Sequence, residues 1–344
     1  MSHMAIDHHY HGDQAALPGM LDFAVNVRGG TPPQWLRDEL ARGLADLGRY
    51  PGGDQERCAV DAAAARHSRS ADEVLLLAGG AEGFALLPNL APRRVALIAP
   101  SFTEPAAVFA AWGIDHQHVV LPPPFRLADG RVPDDADLVV IGNPTNPTAV
   151  LHPREQILAL RRPGRILVVD EAFADAIPGE PESLAGERLD DVVVLRSLTK
   201  TWALAGLRVG YALGAPEVLA RLGARRPHWP VGTLPMIAVA ACCAPARVVE
   251  ARREAEDLAR CRAQMVAALQ GSGLAVVDGV APFVLFAVAD ADGTRRRLAE
   301  CNIAIRRCDT FTGLDGGYLR AAVRPEWPVL LEALRAQPRR LQRH

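Results

Sequence analysis

The chain carries 37 arginines and a single lysine, Lys200. A composition this biased replaces surface lysines by arginine at little cost, so the one surviving amine marks either chance or a task that a guanidinium cannot do. Its surroundings read Leu195-Arg-Ser-Leu-Thr-Lys200-Thr-Trp-Ala-Leu-Ala-Gly-Leu-Arg208-Val-Gly210-Tyr. An apolar run ends, a Ser/Thr-rich loop follows, and a second run begins at Arg208. Hydroxyls on Ser197 and Thr199, together with Arg208, can bind a phosphate. A partly desolvated amine beside them, its pKa lowered, can attack a carbonyl and form an imine. Taken alone, the segment is equally compatible with a surface lysine on a loop.

Three other segments carry chemistry of a matching kind. Ile166-Leu-Val-Val-Asp170-Glu-Ala-Phe173 ends an apolar run in an acid. That places Asp170 at the carboxyl end of a central strand, where open α/β sheets bind ligands. A carboxylate buried there needs a cation such as a protonated pyridine nitrogen, unless it is simply a helix N-cap. Ile141-Gly-Asn-Pro-Thr-Asn146-Pro-Thr148-Ala149 follows another apolar run, and its proline-bounded turn can aim the Asn146 amide at a ring hydroxyl or be a plain loop. Leu77-Ala-Gly79-Gly80-Ala81-Glu82-Gly83 reads as strand, glycine turn and helix start, whose backbone amides suit an anion. It lacks the glycine spacings of dinucleotide and nucleoside-triphosphate loops.

Elements able to position these segments alternate along the middle of the chain. Strands are expected at Val74–Leu77, Val95–Ala99, His118–Leu121, Leu138–Ile141, Ile166–Val169, Val192–Arg196 and Arg208–Leu213. Several are apolar on both faces, as strands of a covered, mainly parallel sheet must be. Helices are expected between them at Ala81–Leu90, Glu104–Trp112 and Pro153–Leu160. The reading is an α/β/α sandwich with a mainly parallel sheet plus a smaller α+β domain. Its divisions are residues 1–48 as an N-terminal arm and part of the small domain, 49–245 as the large domain, and 246–344 as the small C-terminal domain. The last part opens with a long helix, Ala246–Gln270. Strands at Ala275–Val277, Phe283–Val288, Ala304–Arg306 and Tyr318–Val323 and helices at Thr294–Cys301 and Pro328–Ala336 follow, completed by the arm and a helix around Pro33–Leu47.

Composition narrows the function class. At 344 residues, 49% hydrophobic and 23% charged, the chain can bury a large core and is neither disordered nor fibrous. A formal net charge of −2 argues against a general nucleic-acid binder. Six cysteines without C-x-x-C pairs read as reduced thiols in a cytoplasmic protein with no metal site. The longest apolar run, Val231–Ala246, is broken by Gly232 and Pro235 and is too short to span a bilayer. The histidine-rich start (His3, His8, His9, His11) reads as a flexible terminus or cloning remnant rather than a metal site.

The ordered set Gly80-Ala81-Glu82, Asn143-Pro-Thr-Asn-Pro-Thr148, Asp170-Glu-Ala-Phe173, Ser197-Leu-Thr-Lys200 and Arg208 resembles fold-type I pyridoxal-phosphate enzymes of the aminotransferase class I/II family. The branch it resembles most holds histidinol-phosphate aminotransferase and threonine-phosphate decarboxylase. The likeness runs from His11-Gly12-Asp13 and Leu21-Asp-Phe-Ala-Val-Asn26, through Tyr50-Pro51-Gly52, to Tyr318-Leu-Arg320-Ala-Ala-Val-Arg324. It implies that Lys200 carries pyridoxal 5'-phosphate and moves protons, that Asp170 pairs with the pyridinium, that Asn146 bonds the ring hydroxyl, and that Phe102 stacks on the ring. It further implies a phosphate held by the Ala81 and Glu82 amides, Ser197, Thr199 and Arg208. Tyr50 would reach in from the second subunit of a homodimer. Arg320 would bind a substrate carboxylate, Arg306 or Arg307 a substrate phosphate, and Asn26 would lie on the substrate side. Departures are Phe173, where many relatives have tyrosine, Ala149 in place of the usual glycine, and Gly232 in place of asparagine.

Three features lean towards the decarboxylase of cobalamin biosynthesis: His-Gly-Asp ahead of Asp22-Phe-Ala-Val-Asn26, the box ending in Phe173, and Arg306-Arg-Cys308-x-x-Phe311-x-Gly313-Leu. The expectation is a pyridoxal-phosphate enzyme decarboxylating a small amino-acid phosphate. The alternative is transamination of histidinol phosphate with 2-oxoglutarate and glutamate. A third reading, a cofactor-binding regulator without activity, suffers from having only about fifty residues ahead of Tyr50, too few for a DNA-binding module.

Overall fold

The computed structural model describes residues 12–336, so the four histidines of the start lie outside the described residues. In chain order the elements are β1 (Leu21–Asp22), α1 (Gln34–Gly43), α2 (Gly53–Arg66), β2 (Val74–Leu77), α3 (Gly80–Leu86), β3 (Val95–Ala99), α4 (Glu104–Ala111), β4 (His116–Val120) and β5 (Leu138–Gly142). Next come α5 (Arg154–Leu158), β6 (Ile166–Asp170), β7 (Val192–Ser197), β8 (Gly210–Leu213), α6 (Pro216–Gly223), α7 (Thr233–Cys242) and α8 (Pro245–Gln270). The chain closes with β9 (Ala275–Val276), β10 (Phe283–Ala287), α9 (Ala291–Glu300), β11 (Ile303–Ala304), β12 (Arg306–Arg307), β13 (Tyr318–Ala322) and α10 (Trp327–Arg335).

Seven strands form one sheet in the order β2-β8-β7-β6-β5-β3-β4. Neighbours from β4 to β7 are parallel, while β8 is antiparallel to both β7 and β2. Strands β3, β5 and β7 are buried along their whole length, which requires cover on both faces. Their period of two sorts the side chains. Ile141, Val169 and Val194 face a core shared with Leu36 of α1, Ala59 and Ala63 of α2, and Met236 and Val239 of α7. Val140, Val168, Val193 and Leu195 face the opposite core with Phe84 of α3, Phe109 of α4 and Leu219 of α6.

Helix α8 leads to a second, antiparallel sheet in the order β12-β13-β10-β9. This layer has its own core, in which Val284 and Phe286 of β10 meet Met265 and Leu269 of α8, Leu298 of α9 and Leu330 of α10. Strand β1 pairs in parallel with β11, so the N-terminal arm docks on this C-terminal layer. Helix α1 does not follow it. Leu36 and Trp35 pack into the core of the large sheet, so the expectation that this helix completes the smaller layer is corrected.

Three helices, α2, α6 and α7, are not among those expected, two of them for a physical reason. The buried face of α2 is made of Ala59, Ala63 and Ala64, which barely contrast in hydropathy with their neighbours. The apolar run after Val231 is α7, a core helix with Met236, Ala238 and Val239 buried. Among the described residues no single helix is long and apolar enough to cross a membrane; α7 and α8 satisfy that test only jointly, across a 74° bend.

Candidate active site

Sheet register assembles the site. Gly142 at the end of β5 lies beside Asp170 at the end of β6, and Asp170 lies beside Leu195 near the end of β7. Parallel strands thus deliver the loops after Gly142, Asp170 and Ser197 to one edge. The reversed β8 begins at that edge, with Gly210 opposite Ser197 and also opposite Leu77 of β2. Arg208 and the Gly79-Gly80 turn therefore arrive at the same place. Together they line a cleft of about 540 Å³ that also takes in Asn26, Phe102, Asn146 and Lys200.

The end nearest β8 is shaped by missing atoms. Gly79 has φ +86, and a Cβ there would stand 2.6 Å from Arg208 Nη2. A Cβ on Gly210 would stand 2.5 Å from the Arg196 carbonyl oxygen. Arg208 itself is held at φ 56, a left-handed conformation that costs a non-glycine residue about 1–2 kcal/mol. Ser197 Oγ and Thr199 Oγ1 lie 2.7 Å apart beside it. Two hydroxyls and a guanidinium over a glycine turn have the donor set of a phosphate cup. Glu82 departs from its expected place. It is not on the cleft wall: its amide donates to the Gly79 carbonyl at 3.1 Å, and its carboxylate accepts from the Ala78 amide at 2.6 Å and from Arg226 at 2.9 Å.

At the centre, Asp170 opens towards the cleft yet is enclosed by protein. Burial pushes its carboxyl up to about 6, against the lowering effects of the Ala172 amide and Lys200. The Ala172 amide donates to Asp170 Oδ1 at 3.0 Å, so this carboxylate also closes a local turn, while its second oxygen is left for the cleft. A cationic ring nitrogen placed against this carboxylate would return it to its charged form. Lys200 is tied down on both sides: its carbonyl accepts from the Arg28 amide at 2.9 Å, and Trp202 packs edge-on against Trp35 with centroids 5.3 Å apart. Phe102 and Phe84 border the cleft with ring centroids 6.1 Å apart. Phe173 is buried against Phe283 at 5.0 Å, so it can pack but cannot donate a hydrogen bond.

The far wall belongs to the second sheet. Arg320 of β13 donates to Asn146 Oδ1 and, at 2.6 Å, to the Ala24 carbonyl. Its Nε is buried without a partner, and burial pulls the guanidinium down to about 9. No acidic side chain forms an ion pair with it among the described residues. A buried cation of this kind suits an anion brought by a ligand. Arg306 pairs with Arg320 across the antiparallel ladder, donates to Thr310 Oγ1 at 2.9 Å and lies 4.9 Å from the Phe311 ring centroid. Strand alternation turns Arg307 away to Asp309, at 2.7 Å. Asn26 lines the cleft with its Oδ1 buried and unpartnered. Tyr50 is not in the cleft of its own chain; it is 74% exposed and stacks on Trp229 at 4.2 Å. Sequence reasoning overlooked Thr103, also on the wall, because nothing distinguishes it from any other loop threonine.

The architecture is that of fold-type I pyridoxal-phosphate enzymes. The histidinol-phosphate aminotransferase of Clostridium acetobutylicum superposes with a TM-score of 0.84 over 92% of this chain and 98% of that one, at 24% identity. The family model "Aminotransferase class I and II" matches residues 18–333, and the chain belongs to that family. It is an enzyme, and its cofactor is pyridoxal 5'-phosphate. A histidinol-phosphate aminotransferase of Mycobacterium bovis is 65% identical over 94% of this chain and 89% of its own length. A threonine-phosphate decarboxylase of Salmonella typhimurium is 29% identical over 89% of this chain and 87% of its own length. These relatives overturn the expected decarboxylase reading. Two of the three features behind it are packing contacts here, Phe173 against Phe283 and Arg306 beside Phe311.

Two outcomes follow from the geometry. Gly79→Ala should raise the dissociation constant for pyridoxal phosphate by about one to two orders of magnitude, since the new Cβ displaces Arg208 in a backbone conformation that already disfavours it. Fluorescence titration of the apoprotein measures this. Because Asp170 loses its proton around pH 6, binding of the cationic ring should tighten as pH rises from about 5 to about 7. Asp170→Asn should lose that part of the pH dependence; identical profiles for the two proteins would count against the pairing.

Proposed function

We propose that the chain catalyses pyridoxal-phosphate-dependent transamination between histidinol phosphate and 2-oxoglutarate, with glutamate as the second amine. The 65% identity to a protein of that name, nearly end to end, carries the reading. The cleft supports it. Bound cofactor supplies an electron-withdrawing ring that stabilises negative charge at the substrate carbon. Asp170 keeps the ring nitrogen protonated, Asn146 holds the ring hydroxyl, and Ser197, Thr199 and Arg208 hold the phosphate, with the Ala81 amide beside them. Phe102 covers one ring face. Lys200 is the attachment point, and its Nζ is the base that takes a proton from the substrate's α-carbon and returns it.

Both amines of the exchange carry an anion close to that carbon. In glutamate it is a carboxylate attached directly; in histidinol phosphate it is a phosphate two bonds further out. Arg320 and Arg306 are adjacent across the ladder and both face the cleft, so one pair of guanidiniums serves both substrates at two reaches. Asn26 supplies a polar contact on the same side. Because Arg320 is tied to Asn146, a substrate anion that it binds would be held beside the residue that would hold the ring hydroxyl.

The reading includes a homodimer. Tyr50 and Trp229 form an aromatic stack that is 74% and 55% exposed, a face suited to cover by a second copy. Tyr50 would then reach the phosphate cup of that copy. Six free thiols agree with a reducing compartment, the cytoplasm.

Purified protein supplied with histidinol phosphate and 2-oxoglutarate should form glutamate, and Lys200→Ala should lower turnover about 10,000-fold while remaining folded. Absence of glutamate, with turnover of another amine, would replace the proposed substrate. Tyr50→Phe should weaken cofactor binding about tenfold. Unchanged affinity, or a monomer in sedimentation, would remove the shared site.

A further inference from the structure

Behind the cleft, on the opposite face of the sheet, lies a cluster of buried charge that no step above uses. Arg196, 1% exposed, donates from Nη1 to Glu171 Oε2 at 2.8 Å, and its Nη2 pairs with Asp175 and, at 2.7 Å, with Glu180. Glu171 also accepts from Ser183 Oγ and from the Leu184 amide, each at 2.6 Å. Arg66 closes the cluster, donating to Asp175 at 2.9 Å and to Glu180 at 3.3 Å. Burying so many charges is costly, and apolar side chains of similar volume often stabilise a core as well or better. The cluster therefore calls for a role other than stability.

Its position supplies one. Glu171 directly follows Asp170, and Arg196 directly precedes Ser197. The Glu171 amide donates to the Leu195 carbonyl at 2.9 Å, so the two strand ends are also joined through the backbone. Alternation puts Asp170, Leu195 and Ser197 on the cleft face, and Glu171 and Arg196 on the face of Val169 and Val194. We infer that the Arg196–Glu171 pair is a positioning clamp: it fixes the spacing of two adjacent strand ends from behind, and so the spacing between the carboxylate that meets the cofactor ring and the hydroxyl that meets its phosphate. The anchor points lie on different strands, and a rigid ligand that bridges them binds best when their separation is set before it arrives.

The inference rests on the cofactor roles proposed for Asp170 and Ser197, and the experiment separates the two. Glu171→Gln keeps the size of the side chain but removes the charge that Arg196 grips. Glu180→Gln removes a charge that Arg196 also meets, but from the outer end of the cluster and on neither strand. Cofactor dissociation constants and the absorption maximum of the bound cofactor are measured for both, alongside Asp170→Asn, with near-ultraviolet circular dichroism checking that each variant is folded. Glu171→Gln should weaken cofactor binding about tenfold and shift the absorption maximum, and Glu180→Gln should leave both close to wild type. If Glu171→Gln matches wild type, or if both glutamine variants lose affinity alike, the clamp is overturned. If Asp170→Asn itself leaves the spectrum unchanged, the underlying assignment fails instead. Should Glu171→Gln not fold, Arg196→Lys serves, because a point charge cannot bridge three carboxylates as a planar guanidinium does; it should reproduce the same pattern, and wild-type binding would overturn the clamp.

Discussion

The cleft depends on the direction of one strand. Parallel strands β5, β6 and β7 end together, which places their following loops side by side. A further parallel strand next to β7 would have ended there too and continued into a helix. Instead β8 runs the other way, so the residues just before it, Arg208 among them, are delivered to the edge where the others finish. Because β2 pairs with β8 as well, the glycine turn after β2 arrives opposite. One reversal thus brings a cation, two hydroxyls and a stretch of exposed backbone amide within reach of a single anion.

Charge is handled differently on the two faces of that edge. On the cleft face, Asp170 and Arg320 are enclosed without full compensation, and burial moves both towards their neutral forms. Such groups store an unmet preference for a partner of opposite sign, which a ligand can supply. On the other face, Arg196 is surrounded by carboxylates, and the pairing holds its pKa above the ordinary arginine value despite the opposing cost of burial. Unpaired charge stands on the cleft face, and paired charge behind it.

Much of this was legible in the residues. Lys200, Asp170 and Asn146 stood out because each follows an apolar run with a residue that such a run would not otherwise tolerate, and the strand ends supply the geometry. Arg306 could be separated from Arg307 only once the ladder showed which of the two shares a face with Arg320. The Glu82 amide, expected on the phosphate, is instead taken up by the Gly79 carbonyl in the turn itself, a local bond that residue types do not announce. Arg196 and Glu171 were passed over because a charged residue beside a catalytic motif reads as part of the motif, although each points the opposite way. The reaction was misjudged for a more basic reason. Which bond breaks depends on the angle at which an anion is held, and residue types do not encode angles.

The two ends of the cleft are built from different materials. The proposed phosphate cup owes its shape to backbone: glycines at 79 and 210 whose neighbours leave no space for a Cβ. The opposite wall, proposed to meet substrate, is a set of side chains, Arg306, Phe311 and Arg320, carried by the second sheet and the loop beside it. On the proposed roles, substitutions on that wall would alter which amine is accepted without disturbing how the ring is gripped, whereas a change in the cup would weaken cofactor binding for every substrate at once. A lineage with this layout is free to diversify its chemistry along one side only, and its members would be told apart by their second sheet while remaining alike in their first.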